Sequence, residues 1–358
     1  MIKPHRLHIG DKIAIVSLSS GILGEDFIKY ELIIGVKRLE ELGLEPVFMP
    51  NALKGLEFLK NHPEARADDL KEAFARNDIK AIICAIGGDD TYRTLPYLLE
   101  DETFKNNVKK HPKIFIGYSD STTNHLMLNK LGLRTFYGQA LLTDLAEFEP
   151  NMLAYSKEAF ERLFSNVAPY QIKPSPVWFE DRTDFSENAV GSLRNKHDDP
   201  KGYELLQGKG VVQGELLGGC LEILGYYIDA PVSNSVDKEL CKKYNVFPTL
   251  DEWSEKIMFI ETSEAKMQPE MYRTYIQKLK EIGVFEKING LIVGKPIDEV
   301  FYDEYKQILK EELAEFDIPV LYNINVGHAY PHTILPIGAL AAIDCDKKTL
   351  TILESSVV

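Results

Sequence analysis

The stretch "KIFIGYSDSTTNHLMLNKLG", residues 113–132, puts a serine where it could act as a nucleophile. A strand-like apolar run reaches Gly117, Ser119 follows two places later, and the chain then turns helical. Such a strand–turn–helix lifts the serine hydroxyl to the sheet edge. It also aims the Asp120 N–H and the helix N-terminus at the same spot, where negative charge would be stabilised. Ser121 stands where the G-x-S-x-G pattern has its second glycine. The stretch is also compatible with Ser119 and Asp120 simply capping the helix.

A serine nucleophile needs a base. Of the eight histidines, His5, His8, His62, His111 and His197 lie in charged or terminal settings, and His125 falls within the helix after Ser119, directed away from it. "NVGHAYPHT" leaves His328 and His332. Their i, i+4 spacing would suit a metal pair on a helix, but Gly327 and Pro331 oppose a helix, and no metal is expected. His328 follows a predicted strand and a glycine, which leaves it at a strand's carboxyl end. A third group must orient the imidazole. Glu261 closes the apolar run "KIMFIE", with Glu264 a turn away. A buried carboxylate there requires hydrogen bonds, which an orienting role would supply. A strand-ending acid exposed to water is the plainer alternative.

In "AIGGDD", Gly87 and Gly88 separate a strand from a helix and let backbone approach a ligand closely. They could cradle a phosphate, but no G-K-[ST] follows. They could instead offer an N–H to an oxyanion, and only this use fits beside Ser119. Cys220 in "LLGGCLEIL" has apolar neighbours and no adjacent base, and reads as a packed thiol rather than a nucleophile.

The elements that must position these residues follow from the apolar pattern. "DKIAIVSLSSG", "EPVFM", "IKAIICAIGG" and "KIFIGYSD" are short buried-type strands alternating with helical stretches such as "FIKYELIIGVKRLEELG". That alternation predicts an α/β fold whose N-terminal sheet is mostly parallel and flanked by helices, flavodoxin-like, with ligands at the carboxyl strand ends. Ser17 to Gly21, Gly87 to Asp90 and Gly117 to Asp120 are three such ends. Residues 1–165 form this domain. Residues 166–210, rich in Pro, Asn, Asp and Gly, read as a linker and long loop. Residues 211–358 form a C-terminal mixed α/β domain that ends in a hairpin turning at Asp346–Lys348.

With 358 residues, 44% of them apolar, the chain can hold two such cores. The 41 basic and 55 acidic residues give a net charge of −14, which disfavours a nucleic-acid polymer or an anionic membrane as partner. The four cysteines (Cys84, Cys220, Cys241, Cys345) have no C-x-x-C pair, and "MIKPHRLHIGDKIAIVSLSS" has no apolar run of signal or spanning length. Both point to a reduced, cytoplasmic protein.

Together, "GGDD", "GYSDST", "GELLGGCLEIL", "IETSE" and "GHAYPHTILPIGALAAID" resemble, in order and spacing, the LD-carboxypeptidase family of serine peptidases, and within it the microcin C self-immunity branch. The resemblance covers essentially the whole chain. It implies Ser119 as nucleophile, Glu261 as orienting acid and His328 as general base. It further implies the Gly88 and Asp120 amides as oxyanion hole, and Gly87 and Asp89 as substrate contacts. It implies a homodimer, no cofactor, and a small peptide or peptidyl-nucleotide substrate. Relatives often carry asparagine in place of Cys220. Trp178, in "SPVWFED", matches a tryptophan that stacks on a nucleobase in the self-immunity branch, although it could merely anchor the loop. Amide hydrolysis of a peptidyl- or aminoacyl-nucleotide is therefore expected. The alternatives are trimming of murein tetrapeptides and, in another class, a non-catalytic small-ligand-binding protein.

Overall fold

A computed structural model describes residues 1–231 and 236–358. The chain forms two compact units, one of Met1–Asn166, Arg182–Arg194 and Ser356–Val358, the other of Val167–Asp181 and Asn195–Ser355.

In the first unit the apolar runs become β1 (Lys12–Val16), β2 (Glu45–Phe48), β3 (Ile79–Cys84), β4 (Ile114–Gly117) and β5 (Thr135–Tyr137). They lie in the order β2-β1-β3-β4-β5 and every pairing is parallel. Ile13 to Val16 and Ala81 to Ile83 are wholly buried, which explains why these strands read as unbroken apolar runs rather than alternating ones. Helices Lys29–Glu41, Pro63–Ala75 and Thr122–Lys130 flank the sheet. This is the flavodoxin-type strand order, whose switch point lies between β1 and β3.

Side chains tie the loops at that switch point together. Arg66, fully buried, donates to the carbonyls of Leu18 and Ser19 at 3.3 and 3.1 Å and to the Asp90 carboxylate at 2.5 Å. Thr91 Oγ1 donates to the Leu18 carbonyl at 2.9 Å. A buried guanidinium is tolerable because each of these bonds compensates its lost hydration.

The second unit contains β6 (Tyr170–Ile172), β7 (Val177–Phe179), β8 (Lys196–Asp198), β9 (Glu204–Gln207), β10 (Val211–Cys220), β11 (Ile257–Glu261), β12 (Gly290–Gly294), β13 (Val320–Ile324), β14 (Leu335–Ile337), β15 (Leu340–Asp344) and β16 (Thr349–Ile352). Eight of them form one sheet, β6-β16-β15-β10-β11-β12-β13-β9. Its interior strands β10 to β13 are parallel, and antiparallel strands extend it on both sides. Helices Pro269–Ile282 and Tyr302–Glu312 pack through stacked Tyr272 and Tyr305 rings, centroids 4.1 Å apart. The expected terminal hairpin is β15–β16, with Asp344 opposite Thr349.

The 166–210 stretch is more ordered than its composition suggests. It holds β6, β9 and the antiparallel pair β7–β8. Strands of three or four residues are too short for a period to show in sequence. Its middle part, 182–194, belongs to the first unit. There Arg182 and Arg194 meet the Glu147 carboxylate at 3.0 and 2.6 Å, all three side chains under 10% exposed.

Candidate active site

Ser119 and its surroundings lie in the first unit, Glu261 and His328 in the second. Ser119 sits at the tip of the turn between β4 and helix Thr122–Lys130 with φ +61°, a left-handed conformation that non-glycine residues rarely adopt. A strained serine at a strand-to-helix turn is the backbone geometry that a nucleophile elbow requires. Ser119 does not cap the helix, because Tyr118 and Ser121 hold the N-cap positions of the turn and the helix, neither with a side-chain cap bond. The Ser119 N–H donates to Tyr137 Oη at 3.2 Å, and a Cβ placed on Gly87 would lie 2.9 Å from Ser119 Oγ and 3.4 Å from the Asp120 nitrogen. The glycine loop after β3 therefore abuts the serine. Gly88 itself is exposed with φ +147°, and its absent Cβ would fall 2.2 Å from Ser19 Oγ. Asp89 is exposed.

Asp120 points its carboxylate away from any cap, into the protein. Its Oδ2 accepts from Ser19 Oγ at 2.5 Å and from the Thr91 N–H at 2.8 Å. Burial pushes its pKa up to about 6 against those two bonds. Neither ring nitrogen of His125 bonds Ser119; the ring braces the turn, with Nε2 meeting the Gly117 carbonyl at 2.9 Å and Nδ1 meeting Thr135 Oγ1 at 2.8 Å. Burial lowers its pKa to about 4, so the ring is neutral and bridges β4 to β5 as one donor and one acceptor.

In the second unit Glu261 ends β11 and is 1% exposed, so the solvent-facing alternative does not apply. Its Oε2 lies 2.7 Å from His328 Nδ1 and accepts the His328 backbone N–H at 3.3 Å. Gly327, at φ +90°, permits this approach, since a Cβ there would fall 2.2 Å from the same oxygen. Burial opposes charge on the His328 ring, yet the Glu261 carboxylate, aided by Glu264, holds its pKa well above the ordinary value. Glu264 Oε2 stands 3.1 Å from Nε2 and its own pKa falls to about 2 through that bond. The His328 ring thus has a carboxylate at each nitrogen, the buried Glu261 at Nδ1 and Glu264 at Nε2.

Cys220 is buried, Sγ 3.3 Å from Glu222 Oε2, and burial drives its pKa well up, the setting of a packed thiol. All four cysteines are buried and none is in a disulfide. Trp178, on β7, stacks on His197 of β8 with centroids 4.1 Å apart and planes at 13°. His197 also meets Glu180 at 2.8 Å, and Lys295 Nζ lies 5.9 Å from the Trp178 centroid. Sequence reasoning missed His197, Ser19, Thr91 and Tyr137; only the serine-rich end of β1 hinted at them. Among the described residues no group of three or more His, Cys, Asp or Glu could hold a metal, and no helix is long and apolar enough to cross a membrane.

Comparison with known proteins places the chain in a family. Residues 13–138 match the LD-carboxypeptidase N-terminal domain and residues 213–343 the LD-carboxypeptidase C-terminal domain. The chain is 30% identical over 303 residues to the microcin C7 self-immunity protein MccF of Escherichia coli, covering 81% of this chain and 78% of that protein. It is 28% identical over 358 residues to a Bacillus subtilis protein named "Probable murein peptide carboxypeptidase", covering 98% and 94%. The crystal structure of an MccF-like protein from Streptococcus pneumoniae in complex with AMP superposes with TM-score 0.91 at 49% identity, covering 97% of this chain and 99% of that one. The chain belongs to the LD-carboxypeptidase family and is a serine-type carboxypeptidase.

Proposed function

We propose that this enzyme hydrolyses an amide bond in a peptidyl- or aminoacyl-nucleotide through Ser119, His328 and Glu261. His328 Nε2 takes the Ser119 proton as Oγ attacks the carbonyl. The Gly88 and Asp120 N–H groups receive the oxyanion, each donor worth about 3–4 kcal/mol of barrier. Glu261 keeps the Nδ1 proton in place and stabilises the imidazolium. His328 then protonates the leaving amine, and water, activated by the same ring, releases the acyl group from Ser119.

The observation that carries this reading is the buried Glu261–His328 pair at 2.7 Å, because a carboxylate that holds Nδ1 makes Nε2 the nitrogen for proton transfer once Glu264 leaves it. The left-handed Ser119 supports the nucleophile assignment. The nucleotide part rests on Trp178, whose ring is already oriented by His197, and on likeness to a protein crystallised with AMP. Detoxification of such conjugates in the cytoplasm, by a homodimer, is the matching role. The full-length likeness to a protein named as a murein peptide carboxypeptidase favours a second reading, removal of a terminal residue from murein tetrapeptides.

A fluorophosphonate probe should label the wild type and leave folded Ser119→Ala unlabelled; persistent labelling of the variant would refute the nucleophile. Turnover of an aspartyl sulfamoyl-adenylate and of a murein tetrapeptide, assayed side by side, separates the two substrates. Faster turnover of the tetrapeptide would replace the first reading by the second.

A further inference from the structure

The imidazole of His328 has a carboxylate on each nitrogen, Glu261 at 2.7 Å from Nδ1 and Glu264 at 3.1 Å from Nε2. The two acids differ in setting. Glu261 is sealed at the end of β11, whereas the Glu264 side chain is 65% exposed. The backbone that carries Glu264 is clamped on either side. Ser263 donates through N and Oγ to Glu222 Oε1 at 3.0 and 2.8 Å, and Lys266 Nζ reaches Asp298 at 2.8 Å. The Lys266 N–H also returns to the Ser263 carbonyl at 3.2 Å. The side chain can therefore rotate into water while its loop stays put.

A general base must offer a lone pair at Nε2, and a nitrogen that donates its proton to Glu264 offers none. We propose that Glu264 is a latch on the base: in the substrate-free enzyme it keeps Nε2 occupied, and the ring becomes competent only when this side chain swings out. On release the Nε2 proton passes to bulk water, and the freed lone pair can accept the proton of the Ser119 hydroxyl. The catalytic consequence rests on the reading of His328 as base; the pairing does not.

The charged groups around the ring set the direction of the effect. Glu261 lies at Nδ1 and Glu264 at Nε2, while Glu222, in the short helix Leu221–Leu224 after β10, adds a like charge that acts on Glu261. Each carboxylate next to the imidazole favours its protonated form, so Glu264 raises the pH at which the base is set free. Removing this charge must move that point downward.

The experiment is a titration of the His328 ring nitrogens by NMR in the full-length protein, wild type and Glu264→Gln, with His328→Gln assigning the signals. The expected result is a midpoint lower by about one pH unit in Glu264→Gln. The acid limb of kcat/KM should fall by the same amount, with an unchanged melting temperature. An unmoved midpoint overturns the latch, as does a midpoint that moves while the acid limb stays. The NMR midpoint needs no turnover. A wild type inactive on every substrate would therefore count against the hydrolase reading and leave the pairing to be judged by the titration alone.

Discussion

Ser19 Oγ donates a 2.5 Å hydrogen bond to Asp120 Oδ2 across 101 positions of chain. The bond joins the end of β1 to the turn that carries Ser119. The same carboxylate accepts the Thr91 N–H, so the loop after β3 is held as well. Gly88 closes the set, since only a missing side chain lets it lie over Ser19 Oγ. Both amides proposed for the oxyanion are thus referenced to one buried hydroxyl.

Gly88→Ala should lower kcat by about 10²–10³-fold with a much smaller change in KM, the cost of displacing one oxyanion donor. The new methyl would need to sit 2.2 Å from Ser19 Oγ in a backbone conformation that disfavours it. Steady-state kinetics on whichever substrate is turned over, with circular dichroism to check folding, decides it. An unaffected kcat would remove Gly88 from the site.

Asp120 should leave a signature in stability against pH. Its folded pKa stands at about 6 against 3.8 for the free side chain, so the folded state binds the proton more tightly. The stabilisation is therefore complete at low pH and fades as pH rises through about 6, a change of about 3 kcal/mol. Asp120→Asn keeps an acceptor for Ser19 and Thr91 but cannot titrate. Denaturant unfolding of both proteins between pH 3 and 7 should show their difference varying by this amount. A constant difference would contradict it.

Glu261→Gln should keep the hydrogen-bonded contact but spoil the tautomer, lowering kcat about 10⁴-fold while the fold survives. Single-turnover measurements with the fluorophosphonate probe would show the loss as slowed labelling of Ser119. Labelling at the wild-type rate would deny Glu261 its role.

Trp178→Ala should weaken kcat/KM for an aminoacyl sulfamoyl-adenylate by about 5- to 150-fold, the range of base stacking, and leave a tetrapeptide nearly unaffected. Equal losses on both would mean that the ring only anchors its hairpin against His197.

The sequence disclosed what depends on local pattern. The buried strands of the first unit, their glycine-rich ends, the turn at Ser119 and the strand-ending Glu261 all came from runs of apolar residues and the breaks between them. Hidden were the pairings set by the fold alone. No spacing announces that Ser19 bonds Asp120, that His197 lies under Trp178, or that Glu264 reaches Nε2. The three-residue strands β6, β7 and β8 were hidden too, because their order comes from partners distant in sequence.

Residues 182–194 have a practical bearing on dissection of the gene. They fold with the N-terminal unit although the residues on either side of them fold with the other. A fragment cut after residue 166 would carry Glu147 without Arg182 or Arg194, the two guanidinium groups that offset its charge. Neither half is an uninterrupted reading frame, so isolating one calls for a permuted or spliced gene rather than a stop codon.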